Sequence, residues 1–122
     1  MNTTENNKII AEFMGGLKDG ESRLSLQNNE IWLPIHGVCH LGNSGKVLKY
    51  HSSWDWLMEV VEKIRFTQEC SDFNINYTCD VKIECEDYNQ FFEVYTDNKV
   101  NTLQAVYNAC IEFIKWHNEQ NK

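Results

Sequence analysis

The chain has 122 residues and a mass of 14.4 kDa, so a single domain over residues 1–122 is expected. Hydrophobic residues make up 42% of it and charged residues 24%, a globular composition that excludes global disorder. No apolar run approaches the ~18 residues that cross a bilayer, so no membrane span is expected. The net charge is −7, and the arginines are Arg23 and Arg65 alone, which argues against direct binding of nucleic acid or an acidic membrane surface.

The cysteines indicate a reducing compartment. They are odd in number and irregularly spaced: Cys39, Cys70, Cys79, Cys85 and Cys110. The polar segment from Met1 to Lys8 lacks the apolar core of a signal peptide. Free thiols in an intracellular protein are therefore expected.

The first part of the chain predicts one helix and two short strands. The helix covers residues 4–14, where apolar residues share one face, and Gly15-Gly16 ends it. A strand is expected over residues 30–35, with Pro34 indicating an edge position or an early end. The other assignments are a loop over residues 17–29, an irregular glycine-containing loop over 36–46 and a short return strand over 47–50.

A second helix is predicted to begin at Ser52, which resembles a capping box with Asp55. Apolar residues then recur at steps of three and four and define a buried face: Trp54, Leu57, Val61 and Ile64. The charged side is expected to carry Glu59, Glu62, Lys63 and Glu69. Trp56 lies about 200° around the helix from Trp54. We therefore expect Trp54 in the core and Trp56 on a second contact surface.

Residues 73–85 carry the clearest strand pattern, because apolar and polar residues alternate throughout. This run exceeds the usual strand length of about 5–6 residues, so it is expected to be bent, bulged or broken into two. A turn at residues 86–89 and a return strand over 91–96 complete an antiparallel hairpin. The last helix is predicted over residues 102–117, with Asn101 as its cap and an apolar stripe of Leu103, Val106, Tyr107, Cys110, Phe113, Ile114 and His117.

The predicted element order is therefore α-β-β-α-β-β-α. Short connections between successive strands favour an antiparallel sheet of about four strands, packed against two or three helices. This is an α+β fold in which the second and third helices cover one face of the sheet.

The histidines and cysteines do not form a recognised catalytic or metal-binding motif. His36, Cys39 and His40 lie close in sequence, with His51 beyond them, but no Cys-x-x-Cys pair accompanies them. A Cys39–His pair could act as a nucleophile only with a base in reach and an oxyanion site. Residues 42–46 lack the spacing of a phosphate-binding loop, so a turn is expected there. We therefore expect a non-enzymatic protein with no catalytic residue, no metal and no cofactor.

The negative charge is concentrated in one segment. Residues 72–98 contain seven acidic residues and one basic residue, Lys82, and so hold −6 of the total net charge of −7. This charge either keeps the hairpin soluble or forms a docking surface for a basic groove. Candidate partner-binding residues are Glu84, Glu86, Asp87, Tyr88, Phe91, Glu93, Tyr95, Asp97 and, on the second helix, Trp56.

Three stretches resemble a group of small uncharacterised proteins of bacteriophages and prophages. They are YHSSWDWLMEVVEKI at residues 50–64, AVYNACIEFIKWHN at 105–118 and IAEFMG at 10–15. The resemblance implies a phage or prophage origin and a place in the cytoplasm of the bacterial host. It assigns no catalytic residue, because the shared motifs are packing patterns.

Small acidic phage proteins without an active-site motif are often inhibitors of host defence, as the anti-CRISPR proteins are. The expected function is therefore stoichiometric inhibition of a host immune effector, a nucleic-acid-guided nuclease in particular. One alternative is a structural or regulatory phage protein that forms a homodimer. Another is a hydrolase or metal protein built on the His36, Cys39 and His40 cluster.

Overall fold

The computed structural model describes residues 3–17, 26, 29–41, 46–76, 80–97 and 100–120. Over these residues the chain has three α-helices and two antiparallel sheets, in the order α-β-β-α-β-β-β-α. The α+β prediction is confirmed, with five strands in two sheets instead of about four strands in one sheet. The chain divides into two compact units, Met1–Lys49 and Tyr50–Lys122. The single-domain organisation stays a prediction.

The first unit begins with helix α1, Thr3–Phe13, whose Ile10 and Ala11 are fully buried. The predicted end at the glycine pair is confirmed. Gly15 has a φ of 89°, a left-handed conformation that favours glycine. A methyl group at Gly16 would lie 2.6 Å from Ile31 Cδ1 and 2.7 Å from the Ala11 carbonyl oxygen. Both glycines are thus required where the helix ends.

Strands β1, Glu30–Leu33, and β2, Gly37–His40, form an antiparallel hairpin in this unit. The strand ends before Pro34, as predicted. The predicted loop over residues 36–46 is wrong for residues 37–40, which form β2. Gly37, at a φ of 74°, closes the hairpin turn instead of interrupting a strand.

The predicted return strand over residues 47–50 is also wrong. Val47 makes an isolated bridge to His40, and β2 is the strand that returns along β1. Most of the predicted loop over residues 17–29 lies outside the described residues. Leu17 itself is bridged to Trp32 by two backbone hydrogen bonds of 2.9 and 2.8 Å.

The second unit contains helix α2, Trp54–Arg65. Its N-cap is Ser53, not the predicted Ser52: the Ser53 hydroxyl accepts a hydrogen bond from the Trp56 backbone N–H at 3.5 Å. The predicted burial of Leu57, Val61 and Ile64 is confirmed. The predicted roles of the two tryptophans are reversed, as described below.

Three strands follow α2 and form one sheet in the order β3-β4-β5. They are β3, Asp72–Ile75, β4, Asp80–Cys85, and β5, Gln90–Tyr95. The alternating run is thus broken into two paired strands, one of the predicted outcomes. A 3₁₀ turn, Glu86–Tyr88, joins β4 to β5, and Asn89 follows it with a φ of 54°. Tyr77 and Cys79, two of the apolar positions in the alternating run, lie outside the described residues.

Helix α3, Thr102–Gln120, runs one turn beyond the predicted end. Its predicted cap is confirmed: the Asn101 Oδ1 accepts a hydrogen bond from the Gln104 backbone N–H at 2.9 Å. Helix α3 packs on β4, β5 and α2, and α2 packs on β3. One face of the sheet is therefore covered by the two helices. The buried core there includes Phe73, Val81, Ile83, Cys85, Val106, Cys110, Phe113 and Ile114. No helix in the described part of the chain has the length and apolar character needed to cross a bilayer.

Candidate interaction surface on the outer face of the sheet

The outer face of the β3-β4-β5 sheet, opposite the helices, collects the acidic residues in cross-strand rows. Strand register sets these rows, since side chains directly opposite one another share a face. The first row is Asp72, Glu84 and Phe91, the second is Asn74, Lys82 and Glu93, and the third is Asp80 and Tyr95. We call these residues, with Glu86 and Asp87 of the adjoining turn, the acidic face.

Two carboxylates of the acidic face are directly opposed. Asp72 pairs with Glu84 across the β3–β4 ladder. Like charges in that position destabilise a sheet.

Lys82 is the single cation among the described residues of this face. Its Nζ lies 3.2 Å from Glu84 Oε1 and 5.1 Å from the centroid of the Phe91 ring. The hydrogen bond and charge of Glu84 raise the pKa of Lys82, with smaller contributions from Glu93 and Asp80. Lys82 therefore stays charged at neutral pH and leaves a large excess of carboxylates around it.

Two exposed aromatic side chains, Phe91 and Tyr95, stand among these charges, and a third, Tyr88, lies on the adjoining turn and packs toward α3. Phe91 is 59% exposed, Tyr95 63% and Tyr88 48%. The Tyr95 hydroxyl donates a 2.9 Å hydrogen bond to Glu93 Oε1, and the Tyr88 ring packs edge-on against Trp116 at 5.4 Å. Aromatic rings held in place by neighbours are typical anchors of protein interfaces.

A shallow depression of about 310 Å³ opens at the β4–β5 end of the acidic face. It is lined by Lys82, Glu84, Glu86, Asn89, Gln90 and Phe91. Ser71 supports this end, because its hydroxyl donates to the Glu84 carbonyl and accepts from the Glu86 backbone N–H, both at 3.0 Å. The turn that carries Glu86 and Asp87 is thus anchored to the sheet.

Asp97 belongs to the connection after β5 and has a local structural role. Its Oδ1 accepts a 2.8 Å hydrogen bond from the Val100 backbone N–H, and its own N–H donates to the Val100 carbonyl. The candidate residues Glu84, Glu86, Asp87, Tyr88, Phe91, Glu93 and Tyr95 therefore cluster on one sheet and its turn, while Asp97 shapes the adjacent loop.

Trp56 does not lie on a contact surface, which corrects the sequence-based expectation. Trp56 is 8% exposed and packs edge-on against Tyr50 with ring centroids 5.2 Å apart. Trp54, expected in the core, is 36% exposed. The buried stripe of α2 is centred on Leu57, Val60 and Val61, and this rotation turns Trp54 outward.

The exposed Trp54 contributes to a groove that the sequence analysis missed. The groove, about 740 Å³ in volume, is lined by Trp54, Met58, Asn101, Thr102 and Leu103. Its only sequence signal is the i, i+4 spacing of Trp54 and Met58 on α2, which places them on one side of the helix.

Glu69 is largely buried, which corrects the prediction that it lies on the charged side of the second helix. Its side chain is 12% exposed, and Glu69 Oε2 lies 3.3 Å from His117 Nδ1 of α3. His117 stacks on Phe113 at 5.8 Å. Glu69 follows the end of α2 at Arg65, so helical periodicity gives no information on its direction.

The His36, Cys39 and His40 cluster lies on the β1–β2 hairpin. Cys39 is fully buried, and this burial raises the pKa of its thiol. His40 Nε2 lies 3.8 Å from Glu30 Oε2, and the His36 carbonyl accepts a hydrogen bond from Lys46 Nζ. Within the described residues, no three His, Cys, Asp or Glu side chains converge to form a metal-binding group. The predicted turn over residues 42–46 lies outside them except for Lys46.

The other described cysteines are free thiols, as expected: Cys70, Cys85 and Cys110. Burial raises the pKa of the Cys85 thiol to about 11 and that of the Cys110 thiol further still. A protonated thiol is a poor nucleophile. Cys85 and Cys110, which are buried, therefore act as small core residues.

No protein-family model, curated protein or solved structure matches this chain.

Proposed function

We propose that the protein is a non-enzymatic binding protein that docks through the acidic face onto a basic surface of its partner. The partner is a host immune effector, a nucleic-acid-guided nuclease whose groove holds nucleic acid, and the protein inhibits it stoichiometrically in the bacterial cytoplasm. The observation that supports this proposal is the ordered array of carboxylates and exposed aromatic rings on one sheet face. The resemblance to phage proteins supplies the biological setting.

The charge on this surface suits a basic groove. Asp72, Glu84 and Glu93 project from three adjacent strands, and the turn adds Glu86 and Asp87. A surface of this sign increases the encounter rate with a basic groove and competes there with nucleic acid. Association through it should therefore depend on salt.

The exposed rings give the surface a means of holding its partner after encounter. Charge complementarity mainly affects association rate and specificity, whereas desolvated aromatic side chains contribute much of the binding energy. Phe91 and Tyr95 lie in the same outer rows as the carboxylates, so a partner that contacts one group contacts the other. A surface that served solubility alone would gain nothing from exposing both rings.

A stable homodimer through this face is disfavoured by the same charges. Two copies would bring two sets of carboxylates together, and like charges in contact across an interface cost several kcal/mol. An enzymatic role for the β1–β2 hairpin is not proposed, since the Cys39 thiol is buried and its pKa is raised.

The test is inhibition of nuclease-guided interference in a bacterial host. Wild-type protein is co-expressed with each nuclease system of a panel, and survival of a targeted plasmid is measured. In the face variant, Glu84, Glu86, Asp87 and Glu93 are replaced by lysine. In the control variant, four acids exposed on α2 and α3 are replaced by lysine: Asp55, Glu62, Glu112 and Glu119.

We expect the wild-type and control proteins to protect the plasmid and the face variant to lose protection. Both variants change net charge equally, so the difference reports position. Melting curves check that both are folded, since exposed substitutions usually change stability by only about 0.5 kcal/mol. Full protection by a folded face variant, or no protection by wild-type protein against any nuclease, would contradict the proposal.

A further inference from the structure

The two edge strands of the β3-β4-β5 sheet differ in how they are protected. At β3, Arg65 Nη2 donates a 3.0 Å hydrogen bond to the Phe73 carbonyl oxygen, and the guanidinium lies 5.8 Å from the Phe73 ring centroid. A charged side chain over an edge strand obstructs pairing with another strand. Strand β3 is also only four residues long. It is therefore a protected edge.

Strand β5 is a longer edge of six residues. The Asn76 backbone N–H donates to the Asp80 carbonyl at 2.8 Å. In β4, the backbone N–H and C=O groups of Asp80, Lys82 and Glu84 therefore point toward β3. The intervening residues of β4 bond toward β5. Strand β5 thus directs the backbone groups of Phe92 and Val94 to β4 and those of Phe91 and Glu93 away from the sheet. In the described part of the chain, no strand pairs with β5 on that outer side.

We propose that a partner segment in extended conformation adds to β5 as a fourth, antiparallel strand, and that this segment alternates basic and apolar residues. The inference rests on the proposed function and specifies the chemistry of the partner surface. An antiparallel arrangement continues the pairing of the existing sheet. Partner residues opposite Phe91 and Glu93 then make backbone hydrogen bonds to those residues.

The acidic face determines where the basic residues of the partner segment lie. Residues directly opposite each other in an antiparallel pair point their side chains to the same face. Partner residues opposite Phe91 and Glu93 therefore project over the acidic face, where lysine or arginine is complementary to the carboxylates. An arginine or lysine beside Phe91 also makes a cation–π contact with the Phe91 ring, as Lys82 does from the neighbouring strand.

The opposite face of β5 determines where the apolar residues of the partner segment lie. Phe92 and Val94 point to that side and are only half-buried. Trp116, also half-buried, lies 5.9 Å from Phe92 between ring centroids. The alternate side chains of an added strand would cover this exposed rim of the core. Alternation of basic and apolar residues is thus the pattern that satisfies both faces.

A second copy of this chain is a poor occupant of the edge. Antiparallel pairing of two β5 strands centred on Glu93 would set the two Glu93 carboxylates directly opposite one another. Like charges in that position are destabilising, and glutamate at the centre of an edge strand discourages such self-pairing. The occupant we infer is therefore a basic segment of another protein.

The test uses a blocked peptide, Val-Lys-Val-Lys-Val-Lys-Val, titrated into the isotope-labelled full chain. Binding is followed by NMR shifts and by hydrogen exchange at the Phe91 and Glu93 amides. A matched isomer, Val-Val-Val-Val-Lys-Lys-Lys, has the same charge without the alternation. Two further peptides carry backbone N-methyl groups, either on the lysines, whose N–H groups would face β5, or on the inner valines, whose N–H groups would face away.

We expect the alternating peptide to bind and to slow exchange at Phe91 and Glu93. The isomer should bind about tenfold more weakly because its lysines and valines no longer alternate between the two faces of β5. The N-methyl-lysine peptide should also bind about tenfold more weakly because it loses backbone hydrogen bonds to β5, and the N-methyl-valine peptide should bind like the parent. Equal affinities for all four peptides would overturn strand addition. If that equal binding is salt-sensitive and lost in the face variant, charge-driven docking stands without it. If no peptide binds, strand addition is overturned and the interference assay alone decides the proposed function.

Discussion

Replacing Phe113 with alanine should remove a large part of the stability of the second unit. Phe113 is fully buried on α3, and its ring lies 6.1 Å from that of Phe92 and 5.9 Å from that of Trp116. Truncating a buried phenylalanine costs about 3–5 kcal/mol through lost burial and the cavity left behind. The upper half of that range is expected, since the ring contacts with Phe92 and Trp116 and the stacking of His117 are lost as well.

The measurement is urea unfolding followed by tryptophan fluorescence and circular dichroism. A loss of about 4 kcal/mol, with a denaturant slope of about 2 kcal/mol per molar, lowers the urea midpoint by about 2 M. The matched control is Phe91→Ala, which removes the same side chain from an exposed site where the ring meets Lys82. It should cost no more than about 1 kcal/mol. Equal midpoints for the two variants would show that the packing of α3 on the sheet is wrongly described.

Three further outcomes follow from the described contacts. Asn101→Ala should lower the free energy of unfolding by about 1 kcal/mol in the same urea assay, because Gln104 loses its capping acceptor, whereas Asn101→Asp should stay within error of wild type. Stability should fall as pH rises above 9.0 toward 11, because the unfolded Cys85 thiol loses its proton before the buried one does. Cys85→Ala should make that fall less steep in urea midpoints measured at each pH, and the part that remains includes Cys110 and Tyr107, whose pKa values burial also raises. The double variant Cys39→Ser with His36→Ala should still protect the plasmid in the interference assay; loss of protection by a folded double variant would restore an enzymatic hypothesis.

The acidic face could be placed from the sequence because strand alternation carries that information directly. Alternation from Phe73 to Cys85 assigns Glu84 and Lys82 to the solvated side, and the structure places them there. Strand pairing could not be placed in the same way. The register that sets Asp72 opposite Glu84 depends on where the chain turns between β3 and β4, and period-two alternation is equally consistent with one continuous strand.

The error at α2 shows a limit of helical periodicity. As a group, Leu57, Val61 and Ile64 lie closer in angle to Trp54 than to Trp56, so their spacing favours burial of Trp54. The buried Val60 shifts the centre of the stripe toward Trp56. Contact between Trp56 and Tyr50, which precedes the helix, selects the observed rotation. That contact is tertiary, so it cannot be predicted from the spacing of apolar residues within the helix.

The strand error in the first unit has a different cause. Glycine is typical of both loops and tight hairpin turns. The sequence predicts a loop at Gly37, whereas its positive φ closes a hairpin whose second strand is four residues long. A strand that short offers too few alternating positions to be separated from a loop by pattern alone.

The role of the acidic face is tested most directly by the association rate of the protein with a purified nuclease from the interference panel, measured against salt concentration. The nuclease chosen is one against which wild-type protein protects the plasmid. Screening shortens the Debye length from ~10 Å at 0.1 M salt to ~3 Å at 1 M. Wild-type association should slow steeply over this range, because the carboxylates steer the encounter. The face variant should associate slowly at low salt, and its association rate should not increase when the salt concentration is lowered. The control variant should show the same salt dependence as wild type. A wild-type rate that is independent of salt, or a face variant that associates as fast as wild type, would show that these carboxylates only solvate the sheet.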